Sequence, residues 1–505
     1  MGGISDCVLE TTIIEPDYEA NSIKHRKWYL EPQLGLLILL VLAFYFPRIT
    51  HLSVRGEESR RARVAVEMIE NGDWLIPRQQ GQVYLSRPPL QNWLIAMVGL
   101  IRGEVDQIAI RLPSSLAILF TVILVYGYSR IFLTPTGSLV AGASFATMGQ
   151  VMELGWLGET EAVFTFFVTA SLLLWHWGDE RNWSPWIKWC LPYTMVAFGC
   201  LAKGLQAPVY FAGTIGIYLL LSGRWKEALS LSHFAGILVF FGLWGGWQGA
   251  YQYQLGWEKG QGIYSRMILQ RFQGTNVKSV IEHMVVFPGV FFFNLLPWSG
   301  LLLAMFYPGF WKTLGHARSH MLFLIVGVIV AFLSLWPVPG AKTRYLMPIY
   351  PCVAIMIGLI AQRCWEHEHL RSLWTKSWRI FGWFVAGCSF SLSCALLIFG
   401  TQIEPTSMNW QPTGFMIGFA VWSLVLSVII FRASNRTSHR SATVMTLCIA
   451  VFMGSTFFGP WVNRLIRRTP DTVQQVAEIR QLVPTEKNWS VLDVCLTSLL
   501  ITGKN

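Results

Sequence analysis

Charge is what this sequence has least of. Only 13% of its 505 residues are Asp, Glu, Lys or Arg, against about 25% in a soluble globular chain. Hydrophobic residues make up 53%. The shortfall excludes an ordinary soluble enzyme and implies a polytopic membrane protein, all-α in class. Paired cysteines are missing as well. The nine cysteines form no CxxC pair, and Cys200, Cys352, Cys388, Cys394 and Cys448 lie inside apolar runs. That argues against a disulfide framework or a cysteine metal site and leaves them as small buried hydrophobes. No nucleotide-sugar domain and no internal repeat is visible. The net charge of +11 would suggest nucleic acid in a soluble chain. In a membrane chain, basic loops that set topology account for it, and no nucleic-acid partner is expected. No cleavable leader is apparent either. About thirty polar residues precede the first apolar run, which is expected to remain as an anchor.

What the chain has in abundance is long apolar stretches, with many of its 24 tryptophans near their ends, where an amphipathic ring suits the headgroup zone. A spanning helix needs roughly 20 apolar residues. Runs near 32–49, 107–131, 137–153, 158–178, 187–202, 205–222, 231–251, 285–306, 319–337, 345–362, 378–400, 412–431 and 443–462 predict about thirteen spans. Residues 89–102 are apolar but short and follow Pro88–Pro89, which favours a helix lying at the interface. The resulting organisation is a cytoplasmic tail over 1–31, a membrane module over 32–362 with outer loops 50–106 and 252–284, further membrane helices over 363–462, and a short outer tail over 463–505.

Lysine and arginine placement orients this scheme. With the N-terminus cytoplasmic, the inner loops receive Lys24, Arg130, Arg181, Lys188, Arg224, Lys312, Arg371 and Arg436, among others, and the outer loop 401–411 receives none. Three outer loops break the rule. They carry Arg55, Arg60, Arg61, Arg63, Arg78 and Arg87, then Lys259, Arg266, Arg271 and Lys278, then Lys342 and Arg344, while Lys203 falls at an outer junction. Cations disfavoured by topology need a local reason. An anionic ligand supplies one, and contact with anionic lipid headgroups is the plainer alternative.

Carboxylates gather at the same face. Glu57 and Glu58 open the first outer loop, and Glu159 and Glu161 sit at the outer start of the fourth span. Helix-dipole stabilisation accounts for the second pair in the bland reading. Acidic residues at a span edge otherwise read as functional. A spacing of two puts Glu159 and Glu161 on different helix faces, so one is expected to face the loop, and Glu161 is the choice. Lys203, in GCLAKGLQAP, either snorkels or lies in a re-entrant turn. Lys342, Arg344 and Tyr345 open PVPGAKTRYLMPIYP, where cations could hold a phosphate. Acids beside a cationic phosphate site fit glycosyl transfer from a phosphate-linked sugar. One carboxylate takes the acceptor proton, and Arg and Lys offset charge on the departing phosphate.

The run GEESRRARVAVEMIENGDWLIPRQQGQVYLSRPPLQNWL resembles the first periplasmic loop of the protein mannosyltransferase-like superfamily, and within it the lipid A aminoarabinose transferase branch. That pattern reads roughly D-E-x-R-Y-A, G-D-W-x-x-P, K-P-P-L-x-x-W. Glu57, Glu58 and Arg60 stand at its acidic and basic positions, with Arg61 for tyrosine and Arg87 for lysine. Gly72-Asp73-Trp74, Pro77, Ile110-Arg111-Leu112-Pro113, Glu161, Ala202-Lys203-Gly204 and Lys342 through Pro351 continue the match. The resemblance implies a GT-C membrane fold at the bacterial inner membrane and an inverting glycosyltransferase that uses a polyprenyl-phosphate sugar. It implies Glu57 as the base or acceptor-positioning group, with Glu58 more a structural group. Arg60, Arg87, Lys203, Lys342, Arg344 and Tyr345 would surround the donor phosphate. A supporting divalent metal occurs in that branch, but its ligands cannot be assigned from this sequence, and His283 reads equally as a phosphate or lipid contact. The acceptor would be a lipid, a glycan or a protein. A transporter or flippase of a lipid-linked saccharide is the alternative. It should carry charge near the bilayer midplane and often shows two similar halves. A non-catalytic lipid-binding relative would be expected to lose the Glu57–Glu58 pair.

Overall fold

The computed structural model describes residues 27–457 apart from 48, 51–53, 55, 257–275, 400–411, 435 and 437. The N-terminal tail to residue 26, Arg55, Lys259, Arg266, Arg271, the 401–411 loop and the tail expected from 463 lie outside the described residues.

Helices dominate. In chain order they are α1 (Pro32–Tyr45), α2 (Glu58–Asn71), α3 (Leu90–Arg102), α4 (Gln107–Ser129), α5 (Pro135–Thr147), α6 (Gly149–Leu154), α7 (Thr160–Glu180), α8 (Pro185–Ala202) and α9 (Gln206–Leu221). They continue as α10 (Leu231–Phe240), α11 (Gly246–Leu255), α12 (Val277–Asn294), α13 (Ala317–Leu335), α14 (Tyr350–Glu366), α15 (Glu368–Phe399), α16 (Pro412–Ser434) and α17 (His439–Phe457). The strands among the described residues are one tight hairpin, β1 (Arg78–Gln79) on β2 (Gln82–Val83). Each predicted apolar run overlaps a helix. Among the described residues, four segments are long and apolar enough to cross a membrane by length and composition, namely Gln107–Ser129, Val277–Asn294, Ala317–Leu335 and Thr343–Glu366.

Two predicted runs are broken. The run 137–153 divides at Met148, whose backbone turns extended at ψ 137°, and Gly149 N–H then bonds to the Leu296 carbonyl at 3.1 Å. The run 285–306 divides because Pro297 lacks an N–H and disfavours a helical residue before it. The chain resumes as a 3-10 helix over Trp298–Phe306. Hydropathy sees neither break, since both sides are equally apolar.

Packing follows from small residues as much as large ones. α7 lies along α8 and α4, and α14 along α5. A methyl on Gly358 would meet the Gly137 carbonyl at 2.6 Å, so α5 and α14 can approach only because that position is bare. The core is one large apolar cluster that includes Tyr45, Trp156, Trp175, Trp298 and Tyr350, with two small clusters beside it around α2 and α3. α3 spans 13 residues, about 20 Å at the α-helical rise, and leaves Met97, Leu100 and Ile101 exposed.

Candidate active site

The loop that follows α1 is anchored by its second carboxylate. Glu58 is fully buried. Its two oxygens accept from Arg111 Nε and Nη2, each at 2.8 Å, and one also accepts from Gly158 N–H at 2.8 Å. The start of α2 is thereby fastened to α4 and to the residues just before α7. Arg111 also donates to the Ile49 carbonyl at 2.9 Å and lies over the Trp156 ring at 4.9 Å. Removing one member of such a buried pair leaves an uncompensated charge, which costs about 3–5 kcal/mol. Gly72 ends α2 in the left-handed conformation at φ 66°. Asp73 then accepts from Leu75 N–H at 3.1 Å and Ile76 N–H at 3.0 Å, and Glu67 accepts from Gly81 N–H at 3.1 Å. The G-D-W segment is therefore a helix stop followed by a side-chain-closed turn.

This anchoring presents Glu57 at the N-terminus of α2. Its side chain is 39% exposed and pairs with Arg60 Nη1 at 2.8 Å. The preceding Gly56, at φ 60°, lies so close to α7 that an added methyl would sit 3.1 Å from Glu159 Oε1.

Beneath it lies a buried ionic cluster drawn from four segments. Glu161, in the first turn of α7, accepts from Lys203 Nζ at 3.0 Å. Arg344 approaches Glu159 at 3.3 Å through Nη1 and Glu161 at 3.5 Å through Nε. Lys203 ends α8, with Gly204 at φ 121° turning the chain into α9. The lysine is buried, which excludes the snorkelling alternative. Its ammonium lies 4.7 Å from the Tyr345 ring and 5.3 Å from the Phe164 ring. Burial pulls this amine down to about 8, against the opposing pull of Glu161. Tyr345 is itself held through its carbonyl by Tyr210 OH at 3.1 Å.

One expectation needs correction. Glu159 was expected to face away from Glu161. Both carboxylates are buried, and both face Arg344. The helix-face rule does not apply, because Glu159 is the N-cap, with extended backbone at φ −99°, ψ 172°. Sequence reasoning also left Arg61 out of the site. Arg61 is only 3% exposed and lies within electrostatic range of Glu159, Glu161 and thus of the whole cluster. Its Nε and Nη1 have no hydrogen-bond partner. The signal available was its presence where the resembled pattern has tyrosine. Arg87 is half-buried, donates to the Ser86 carbonyl at 2.7 Å and is near enough to Lys203 to disfavour its charge. Lys342 is exposed and makes no ion pair with the described residues. Among the described residues, a group of three donors able to hold a metal is not found at this cluster. It lies at the far end of α7.

Residues 86–245 match the family described as dolichyl-phosphate-mannose-protein mannosyltransferase. An uncharacterised protein of Aquifex aeolicus is 30% identical over 336 residues, covering 64% of this chain and 62% of the relative. An undecaprenyl phosphate-alpha-4-amino-4-deoxy-L-arabinose arabinosyl transferase of Pseudomonas aeruginosa is 28% identical over 342 residues, covering 63% and 58%. The crystal structure of ArnT from Cupriavidus metallidurans bound to undecaprenyl phosphate superposes at TM-score 0.68 and 18% identity, covering 90% of this chain and 81% of that one. By these matches the chain is similar to ArnT-like glycosyltransferases of the protein mannosyltransferase-like superfamily. The matched stretch spans about six tenths of the length of these relatives. Arg61 and Arg87, the two departures from the resembled pattern, both lie within electrostatic range of the ionic cluster.

Proposed function

We propose that this chain is a membrane glycosyltransferase that moves a sugar from a polyprenyl-phosphate donor to an acceptor at the outer, periplasmic face, with inversion. The observation that carries this reading is the imbalance of the cluster. Three cations, Arg61, Lys203 and Arg344, face two carboxylates, Glu159 and Glu161, and Arg61 makes no hydrogen bond through Nε or Nη1. An excess of buried positive charge is costly, and a phosphate arriving in the cluster would offset it. Arginine forks match phosphate oxygens, and Lys203 adds a compact charge.

Glu57 is the group open to an incoming acceptor. In the proposed reaction its carboxylate accepts the proton of the acceptor hydroxyl as that oxygen bonds to the sugar C1. The C1–O bond to phosphate breaks on the opposite face, and the electron pair leaves with the phosphate oxygen. Arg61, Arg344, Lys203 and Arg87 offset that charge. Arg60 orients Glu57, and Glu58 holds the loop in place through Arg111. Lys342 and Tyr345 line the approach. About thirteen spans, a cytoplasmic N-terminus and an inner-membrane location complete the proposal. The basic residues Arg181, Lys188, Arg224 and Lys226 lie toward the opposite end of α7 and α8, as the positive-inside rule asks. α3, too short to cross, would lie along the interface with its exposed apolar face in lipid.

Mass spectrometry of polyprenyl-phosphate sugars and surface glycans, in cells with and without this chain, tests the reading. Loss of one glycosylated species with accumulation of its lipid-linked donor is expected. Unchanged donors and glycans would overturn it.

A further inference from the structure

The last turn of α7 carries chemistry that sugar transfer does not use. His176 and Glu180 are four residues apart, hence on one helix face, and His320 reaches them from the first turn of α13. Both histidines are buried, at 0% and 5% exposure, while the Glu180 side chain keeps 30%. Glu180 Oε1 lies 3.5 Å from His320 Nδ1 and 3.9 Å from His176 Nε2. The three donor atoms fall within 4.8 Å of one another.

Three observations point to a cation-binding site. His320 Nδ1 is buried and has no hydrogen-bond partner. Glu180 pairs with the two imidazoles and with no Lys or Arg among the described residues. The nearby Arg224 is already committed to Asp179 and Glu227. Finally, the other nitrogen of His176 faces Tyr128 OH at 3.0 Å. A hydrogen bond from Nδ1–H to that hydroxyl leaves the Nε2 lone pair toward Glu180, the arrangement by which outer partners fix a ligating imidazole. The competing partner of Nε2 is Tyr218 OH at 3.3 Å.

We propose that His176, Glu180 and His320 bind one borderline divalent transition-metal ion, with zinc as the test case. Two imidazole nitrogens and one carboxylate oxygen suit zinc, and the exposed edge at Glu180 leaves room for a water ligand. Ligands about 2.0–2.2 Å from the ion require the three donors to draw together modestly, which side-chain rotation supplies. The site lies about 28 Å along α7 from Glu161, at 1.5 Å per residue. It joins α7, whose first turn holds Glu161, to α13, whose far end leads into Arg344. The ion would brace the two elements that form opposite sides of the ionic cluster. This inference does not depend on the transferase reading.

The experiment uses the full chain, purified in detergent, stripped with a chelator and titrated with zinc alone. One equivalent is expected by elemental analysis after gel filtration, together with a raised Tm. Cobalt in place of zinc should give the visible absorption of a four-coordinate site. Glu180→Gln, at a partly exposed position, should fold and lose at least tenfold in zinc affinity. His320→Ala should abolish stoichiometric binding. Absence of stoichiometric zinc in the wild-type chain overturns the proposal. So does equal affinity in the wild-type chain, Glu180→Gln and His320→Ala, which would place the ion elsewhere.

Discussion

The two ends of α7 solve the same electrostatic problem in opposite ways. At one end Asp179 accepts from Arg224 at 2.7 Å and from Lys188 at 3.0 Å, and Glu227 accepts from the same two cations at 2.6 and 2.8 Å. Within this network two cations meet two carboxylates and each is paired, while the adjacent Glu180 stands outside it beside His176 and His320. At the other end three cations, Arg61, Lys203 and Arg344, face two carboxylates, Glu159 and Glu161, and Arg61 makes no hydrogen bond through Nε or Nη1. A closed network gains stability from its own members. An open one is held by the surrounding fold and waits for an outside charge. The same residue types thus read as scaffold in one place and as a binding site in the other, and pairing makes the distinction.

That contrast can be broken experimentally. The largest effect is expected at the open end, from Glu57→Gln. The transfer rate should fall about 10²–10⁴-fold in a purified assay with a polyprenyl-phosphate sugar, with insertion and Tm unchanged. A rate within tenfold of wild type would remove Glu57 from the proton transfer. Next, Arg61→Leu should weaken binding of polyprenyl phosphate by roughly 10- to 100-fold, the equivalent of about 1.4–2.8 kcal/mol. It should leave Tm unchanged or raised, because no ion pair is lost. A clear drop in Tm with unaltered affinity would make Arg61 part of a closed network after all.

The third expectation concerns pH. Because burial holds the Lys203 amine at about 8, its charge is present below that value and is lost above it. Donor affinity should therefore fall several-fold between pH 7 and 9, and Lys203→Met should flatten that limb. Stability should move the other way. Between about 8 and the ordinary lysine value of about 10.4 the unfolded chain binds the extra proton, so the contribution of this group to folding rises with pH. A wild-type profile that Lys203→Met leaves intact would assign the limb to another group. The smallest effect belongs to the closed end. Arg224→Ala should cost roughly 1–2 kcal/mol of stability, since Lys188 still serves Asp179 and the arginine is partly exposed. Turnover per folded molecule should not change, and a loss of turnover at constant Tm would contradict the division drawn here.

The helices were legible from the sequence because lipid imposes a simple requirement, long apolar runs with polar interruptions. The cluster was legible in part for the same reason, since Lys203, Arg344 and Glu161 interrupt the apolar pattern. What stayed hidden depended on local backbone and distant partners. Glu159 was misplaced because a helix rule was applied to an N-cap with extended backbone. Glu58 could be separated from Glu57 by resemblance, but its bond to Arg111, 53 residues away, follows no local pattern. Arg61 stood in plain sight as one of several arginines on a polar helix, and only burial distinguishes it from its solvated neighbours. His176 and His320 are 144 positions apart in the chain, and no motif spacing joins them.

Gly56 carries a consequence for anyone mapping this protein by mutation. It has no side chain to contribute, yet its left-handed backbone strains any other residue, and an added methyl at 3.1 Å would press on the Glu159 carboxylate. Gly56→Ala should fold and insert normally and still be inactive, because the added methyl tilts Glu57 and Glu159 apart together. In a mutational scan scored by growth, this position would pass for part of the chemistry. An abundance assay would not tell the two apart, since the variant inserts normally; only the lack of a side chain marks Gly56 as the mechanical joint between the two carboxylates.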